Sequence, residues 1–128
     1  MFEDREVVGF VEEISILDKD KKPITGFSKV KARIDSGATI GSIDEVIVKK
    51  LNPPEVGKKL VKSSHGTSRR KVVKLNILLA GKSISGKFTV IDRSHMTYPI
   101  LVGQDILLQK FIIDPEQNYK KYAKKTKK

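Results

Sequence analysis

Apolar residues in this chain recur at every second position. Val30, Ala32 and Ile34 are separated by Lys31 and Arg33, and Ile14 and Ile16 by Ser15. Successive side chains of an extended strand leave on opposite faces, so this spacing builds half-buried strands. Strands are expected from Val7 to Leu17 and from Phe27 to Ile34, joined through the turn formers and charges of residues 18–23. Two longer antiparallel strands, 71–79 and 83–91, flank Ala80-Gly81-Lys82. Upstream, the polar, glycine-centred stretch 63–68 suits a hairpin tip held over solvent or a cleft. An apolar run at 100–108, broken by Gly103, precedes a closing strand at Phe111-Ile112-Ile113. A short helix is expected over 43–51, capped by Ser42 and halted before Pro53-Pro54. Many short strands with few helices make an all-β chain, a small barrel or a sandwich.

Length and composition bound the rest. The 128 residues suit one domain, and 38% hydrophobic content supports a modest core. No stretch approaches the ~18 apolar residues of a membrane span, and the acidic opening Glu3-Asp4-Arg5-Glu6 is unlike a secretory signal, so a cytoplasmic protein is expected. The absence of cysteine removes disulfides, a thiol nucleophile and thiolate-bound zinc. The net charge is +11, but six lysines fall in the last nine residues, and +5 remains without them. Residues 119–128 are therefore set apart as a solvated, lysine-rich tail, and 1–118 as the folded domain.

Two segments carry chemistry. The strand ending at Ile34 runs into Asp35-Ser36-Gly37-Ala38, a turn bearing a carboxylate, and Ile100-Leu101-Val102-Gly103 follows far downstream. An isolated Asp-Ser-Gly is explained equally well by turn chemistry, with the aspartate accepting backbone bonds. In this order, however, Ala32-Arg33-Ile34-Asp35-Ser36-Gly37-Ala38 and the apolar-Gly element resemble the two signatures of one retropepsin lobe. The closer likeness is to small bacterial and archaeal retropepsin-like proteins, often labelled ATP-dependent zinc proteases and associated with ATP-grasp ligases that add glutamates. It spans Val7 to Tyr119 and includes Val61-Lys62-Ser63-Ser64-His65-Gly66 with Arg69 and Arg70, Asp92-Arg93-Ser94, and Asp114-Pro115. Gln104 stands where these relatives usually carry arginine, and Ser36 where threonine is commoner.

The resemblance implies a closed β-barrel lobe with one or two short helices, and an aspartic endopeptidase. Such enzymes hold water between two carboxylates that share a proton. One Asp-Ser-Gly in a chain too short for a second lobe then implies a homodimer, with Asp35 of one copy deprotonating the water and Asp35 of the other polarising the scissile carbonyl. Ser36 would bond across the dimer, Gly37 would donate a main-chain hydrogen bond to the carboxylate, and Ala38 would keep the floor of the substrate site small. Gly103 would wall the loop as structural support. The flap position carries His65, Arg69 and Arg70, three cationic or titratable side chains suited to an acidic peptide or poly-glutamate substrate. A functional link to an ATP-grasp glutamate ligase follows from the same likeness. No cofactor and no metal are expected, because a catalytic zinc takes three protein ligands and the only histidines, His65 and His95, are far apart in sequence. Asp92-Arg93 reads as an internal ion pair or a dimer contact. The rival reading is a catalytically inactive module of the same fold, using its basic surface for RNA, the ribosome or acidic proteins. Against it stand the 6% aromatic content and the lack of a glycine-rich phosphate loop.

Overall fold

The structure, a computed structural model, describes residues 4–64 and 66–117. Its strands are β1 (Glu6–Val8), β2 (Val11–Leu17), β3 (Val30–Ile34), β4 (Gly41–Asp44), β5 (Glu55–Ser63), β6 (Gly66–Leu79), β7 (Lys82–Ile91), β8 (Ile100–Val102) and β9 (Phe111–Ile113), with helices α1 (Glu45–Leu51) and α2 (Gln104–Leu107). The main sheet has the order β2-β3-β8-β4-β7-β6-β5. It bends back on itself, because the end of β2 also pairs with β6 through Ser15–Leu78, Ile16–Ile77 and Leu17–Asn76. Six strands thus form a ring, with β5 hanging from β6 outside it. The ring mixes parallel pairs, β3 with β8 and β4 with β7, among antiparallel ones, and so is not a regular barrel. Strands β1 and β9 form a separate parallel pair.

The alternation read in the sequence becomes the core. Ile14, Ile16, Ala32, Ile34, Ile43, Ile77, Leu79, Phe88, Ile100 and Val102 all point into the ring and are buried. Each large aliphatic side chain hidden this way contributes about 1.5–3 kcal/mol. The turn between β6 and β7 takes positive φ at both Ala80 and Gly81, the handedness that tight hairpins require.

Several boundaries differ from expectation: β3 begins at Val30 and not at Phe27, β6 at Gly66 and not at 71, and the apolar run 100–108 divides into β8 and α2. The stretch Val7 to Leu17 is two strands, since the chain bends at Gly9-Phe10, where Phe10 O accepts Ile34 N, and sends β1 to β9. The helix starts at Glu45, with Asp44 and not Ser42 at its N-cap. Ile43 is fully buried between Ile100 and Val90 in the sheet, so pairing claims the β-branched residue that a helix would otherwise have taken. Asn52, at φ 48°, ends α1 by donating its N–H to Val48 O. Among the described residues no helix is long and apolar enough to cross a membrane.

Candidate active site

Strand β3 delivers Asp35. Ile34 turns into the core, and Asp35 N donates to Val102 O at 3.0 Å, which prolongs the β3–β8 ladder by one residue. The next side chain must then leave on the opposite face, so the Asp35 carboxyl is aimed away from the core. There Gly37 N donates to Asp35 Oδ1 at 2.9 Å, and Ala38 N closes the turn on Asp35 O at 3.3 Å. Asp35 and Ala38 are half-buried, while Ser36 and Gly37 are exposed.

The loop is held from below by the segment after β8. Gln104 N donates to Ala38 O at 2.8 Å, and its side-chain Nε2 donates to Ser36 O, also at 2.8 Å. Asp105 N reaches Thr39 O at 3.2 Å. Gly103 makes this approach possible: a Cβ there would lie 2.6 Å from the Ile40 carbonyl carbon and 2.9 Å from Ala38 O. Both obstacles are backbone and cannot swing aside. Gln104, at the position of the relatives' arginine, thus ties the carboxylate loop with neutral amide bonds.

A second group of polar side chains shares this face. Register places Arg33 beside Leu101 and Leu101 beside Ser42, one row across β3, β8 and β4. Arg33 and Asp35 are two residues apart and so leave the same side. Arg93, only 6% exposed, reaches the row from beyond β7: Nη1 donates to Ser42 Oγ at 2.7 Å and Nε to Tyr98 O at 2.9 Å. Its backbone N donates to Asp44 Oδ1 at 2.9 Å. Burial pushes the Arg93 guanidinium down from its usual pKa, the Asp44 carboxylate opposes that, and Arg33 adds to it.

Of the two readings of Asp92-Arg93, an internal ion pair or a dimer contact, the ion pair is absent, because Arg93 turns inward while Asp92 stays outside. Asp92 Oδ1 accepts Ser94 N at 2.9 Å, and Oδ2 lies 3.6 Å from His95 Nε2. The Ser94 hydroxyl and backbone, with His95 behind them, hold the Asp92 carboxyl below the ordinary aspartate range against a slight burial effect. Sequence reasoning did not bring Arg33, Ser42 and Arg93 together on the face that carries Asp35. The alternation around Arg33 was the available signal, since any strand that aims Asp35 outward also aims Arg33 outward.

Arg69 and Arg70 sit on the β5–β6 hairpin, where Lys58 faces Lys71, Lys59 faces Arg70 and Leu60 faces Arg69. Arg70 Nε donates to Ser68 Oγ at 3.2 Å, and Lys58, Lys59, Leu60 and Arg69 line a shallow hollow of about 220 Å³. No hydrogen bond or ion pair among the described residues joins Arg69 or Arg70 to the Asp35 loop. His65 lies outside the described residues, as does the 119–128 tail. Asp92, His95 and Asp114 do not converge: among the described residues no three His, Asp or Glu side chains gather as a metal site, and Asp114 Oδ1 accepts Glu116 N. Beside Ser36 lies a hollow of about 370 Å³, lined by Arg5, Gln104, Leu107, Leu108, Phe111 and Ile113. Leu108 is 76% exposed.

Comparison with known proteins bears on this geometry. A family model described as retropepsin-like aspartic endopeptidase RimB matches residues 48–124, a stretch that begins downstream of Asp35. Among curated proteins, a probable alpha-L-glutamate ligase of Shewanella pealeana is 26% identical over 123 residues, covering 76% of this chain and 27% of the relative. The corresponding protein of Shewanella halifaxensis is 27% identical with the same coverage. The chain therefore spans about a quarter of the length of the curated relatives it matches. Among solved structures, a Legionella pneumophila protein of unknown function aligns with a TM-score of 0.58 at 23% identity, covering 86% of this chain and 93% of that one. The Simian Foamy Virus protease aligns with a TM-score of 0.56 at 23% identity, covering 77% and 91%. The fold is thus retropepsin-like.

Proposed function

Because the chain belongs to the RimB-like family of retropepsin-like aspartic endopeptidases, we propose that it is one half of a homodimeric aspartic peptidase acting on glutamate-rich or poly-glutamate segments. The setting of Asp35 carries this reading. One carboxylate per chain stands clear of the core on a half-buried loop, oriented by Gly37 N and tied down through Gly103 and Gln104. A lone carboxylate is a poor activator of water for amide hydrolysis. Two of them facing each other across a two-fold axis would share a proton, so that one accepts from the attacking water while the other donates to the carbonyl oxygen. The exposed Leu108 and the hollow beside Ser36 adjoin this loop and offer apolar surface for the second copy.

The acidic substrate rests on two supports. Cationic side chains line the hairpin and the Asp35 face, and the curated relatives are longer chains named for glutamate ligation that contain a segment like this one. A module that removes what a ligase adds fits both, which makes an ATP-grasp glutamate ligase its functional partner. A cysteine-free chain also suits a reducing, cytoplasmic setting.

Incubating the wild type and Asp35→Asn with a glutamate-rich peptide and a neutral casein-like one tests the reading. The substitution should cut turnover by about 10²–10⁴-fold, and the glutamate-rich peptide should be the better substrate. Equal rates on the two peptides would remove the acidic preference. Hydrolysis by neither protein would leave the like-charged pairs of the hairpin, a surface suited to polyanions, as the functional feature.

A further inference from the structure

Resting on the peptidase reading above, we propose that Arg33 and Arg93 form the specificity subsite next to Asp35 and that it takes the carboxylate side chain of a substrate glutamate. The register puts the two groups where such a subsite has to be. Arg33 and Asp35 leave the same face of one strand, about 6–7 Å apart along it. A peptide whose scissile carbonyl lies over the carboxylate therefore carries a flanking side chain across Arg33.

Nothing in the fold itself calls for a cation at that position. The register partners of Arg33 are Val11 on one side and Leu101 on the other, both apolar, while Glu13 stands opposite Lys31. No hydrogen bond or ion pair to a described residue occupies the Arg33 side chain. Arg93 approaches from the far end of the row and spends Nε and Nη1 on neutral oxygens, Tyr98 O and Ser42 Oγ. Its one carboxylate neighbour, Asp44, accepts from its backbone and not from its guanidinium. The two guanidinium groups thus flank one row of the sheet, Arg33 exposed and Arg93 buried, and Arg33 adds to the downward push on Arg93. An arriving carboxylate supplies the opposite charge that this row lacks and finds a planar donor fork in Arg33. A glutamine in its place supplies no charge.

This subsite differs in kind from the hairpin cations. Arg69 and Arg70 sit on a broad like-charged surface that attracts any polyanion, whereas Arg33 and Arg93 read one side chain at a fixed distance from the reacting bond.

The test uses the full chain and two peptides that differ by a single Glu→Gln change at the residue flanking the cleaved bond. Turnover is measured on the wild-type background, and binding by fluorescence anisotropy on the Asp35→Asn background, where no cleavage intervenes. Arg33→Gln should reduce the preference for glutamate by about 10–100-fold, the worth of one charged hydrogen bond. Arg33→Glu should turn the preference toward a lysine-bearing peptide. Arg93 is buried, so its part is tested through Ser42→Ala, which removes the hydroxyl that aims Nη1 and should lower the preference to a smaller extent. An undiminished glutamate preference in Arg33→Gln overturns the subsite. Absence of turnover in the wild type, with binding preference intact and dependent on Arg33, overturns the peptidase reading and leaves the subsite standing.

Discussion

At the scale of single residues, the Asp35 loop depends on what is missing at Gly103. The space where a Cβ would stand is filled by the backbone of Ala38 and Ile40. Gly103→Ala should therefore destabilise the fold by about 1–3 kcal/mol, the usual cost of overpacking. The same change should displace the carboxylate and lower activity more than stability, and denaturation curves set beside turnover at a temperature where the variant is folded will check this. Asp35, Gly37 and Gly103 could be singled out in the sequence as candidates because each occupies a short motif whose chemistry is local. Arg33 and Arg93 could not, because their common purpose appears only when β3, β8 and β4 are laid side by side and Leu101 is seen between Arg33 and Ser42. Sequence spacing gives the face a residue occupies on its own strand. It does not say which residue of another strand stands next to it.

At the scale of elements, the β5–β6 hairpin is built against its own electrostatics. Like charges directly opposite one another weaken a strand pair, yet Lys58–Lys71 and Lys59–Arg70 are such pairs in succession. Lys59→Glu converts one of them into an ion pair and should stabilise the hairpin by about 0.2–1 kcal/mol. If the hairpin serves acidic peptides, the same change should weaken their binding and flatten its dependence on salt, since less attraction is left to screen. Thermal melts and anisotropy titrations at two salt concentrations measure both effects. A Lys59→Glu protein that is more stable and binds equally well would remove the hairpin from substrate recognition. The polar tip was readable from its turn residues, whereas β5 and the part of β6 before residue 71 were not, because their charged residues hide the alternation. The bounds of α1 were not, since Ile43 and Asp44 carry no local sign that the sheet will claim them ahead of the helix.

For the whole molecule, the proposed peptidase turns on whether and how two copies meet. Leu108 stands 76% exposed at the rim of the hollow that contains Ser36, and the half-buried Ile113 lines the same hollow over the buried Phe111. Placing a charge there should cost the monomer little, because the side chain already faces water. Leu108→Glu is expected to remain folded, to sediment as a monomer and to lose hydrolysis together with dimerisation. A dimeric, active Leu108→Glu protein would move the interface elsewhere. Periodicity alone left a barrel or a sandwich open, since the closure of the ring rests on three residue pairs between β2 and β6 that no motif announces; the closed lobe was anticipated from the family resemblance.

The parallel alignment of β3 with β8 joins residues sixty-eight positions apart, Ala32 with Ile100 and Ile34 with Val102. Contacts so distant along the chain form late, after the loss of freedom in the long intervening loop has been met. During synthesis, Asp35 leaves the ribosome well before the segment that will brace it. On the peptidase reading, a half-made polypeptide therefore carries the acid before it has the brace that holds it in place.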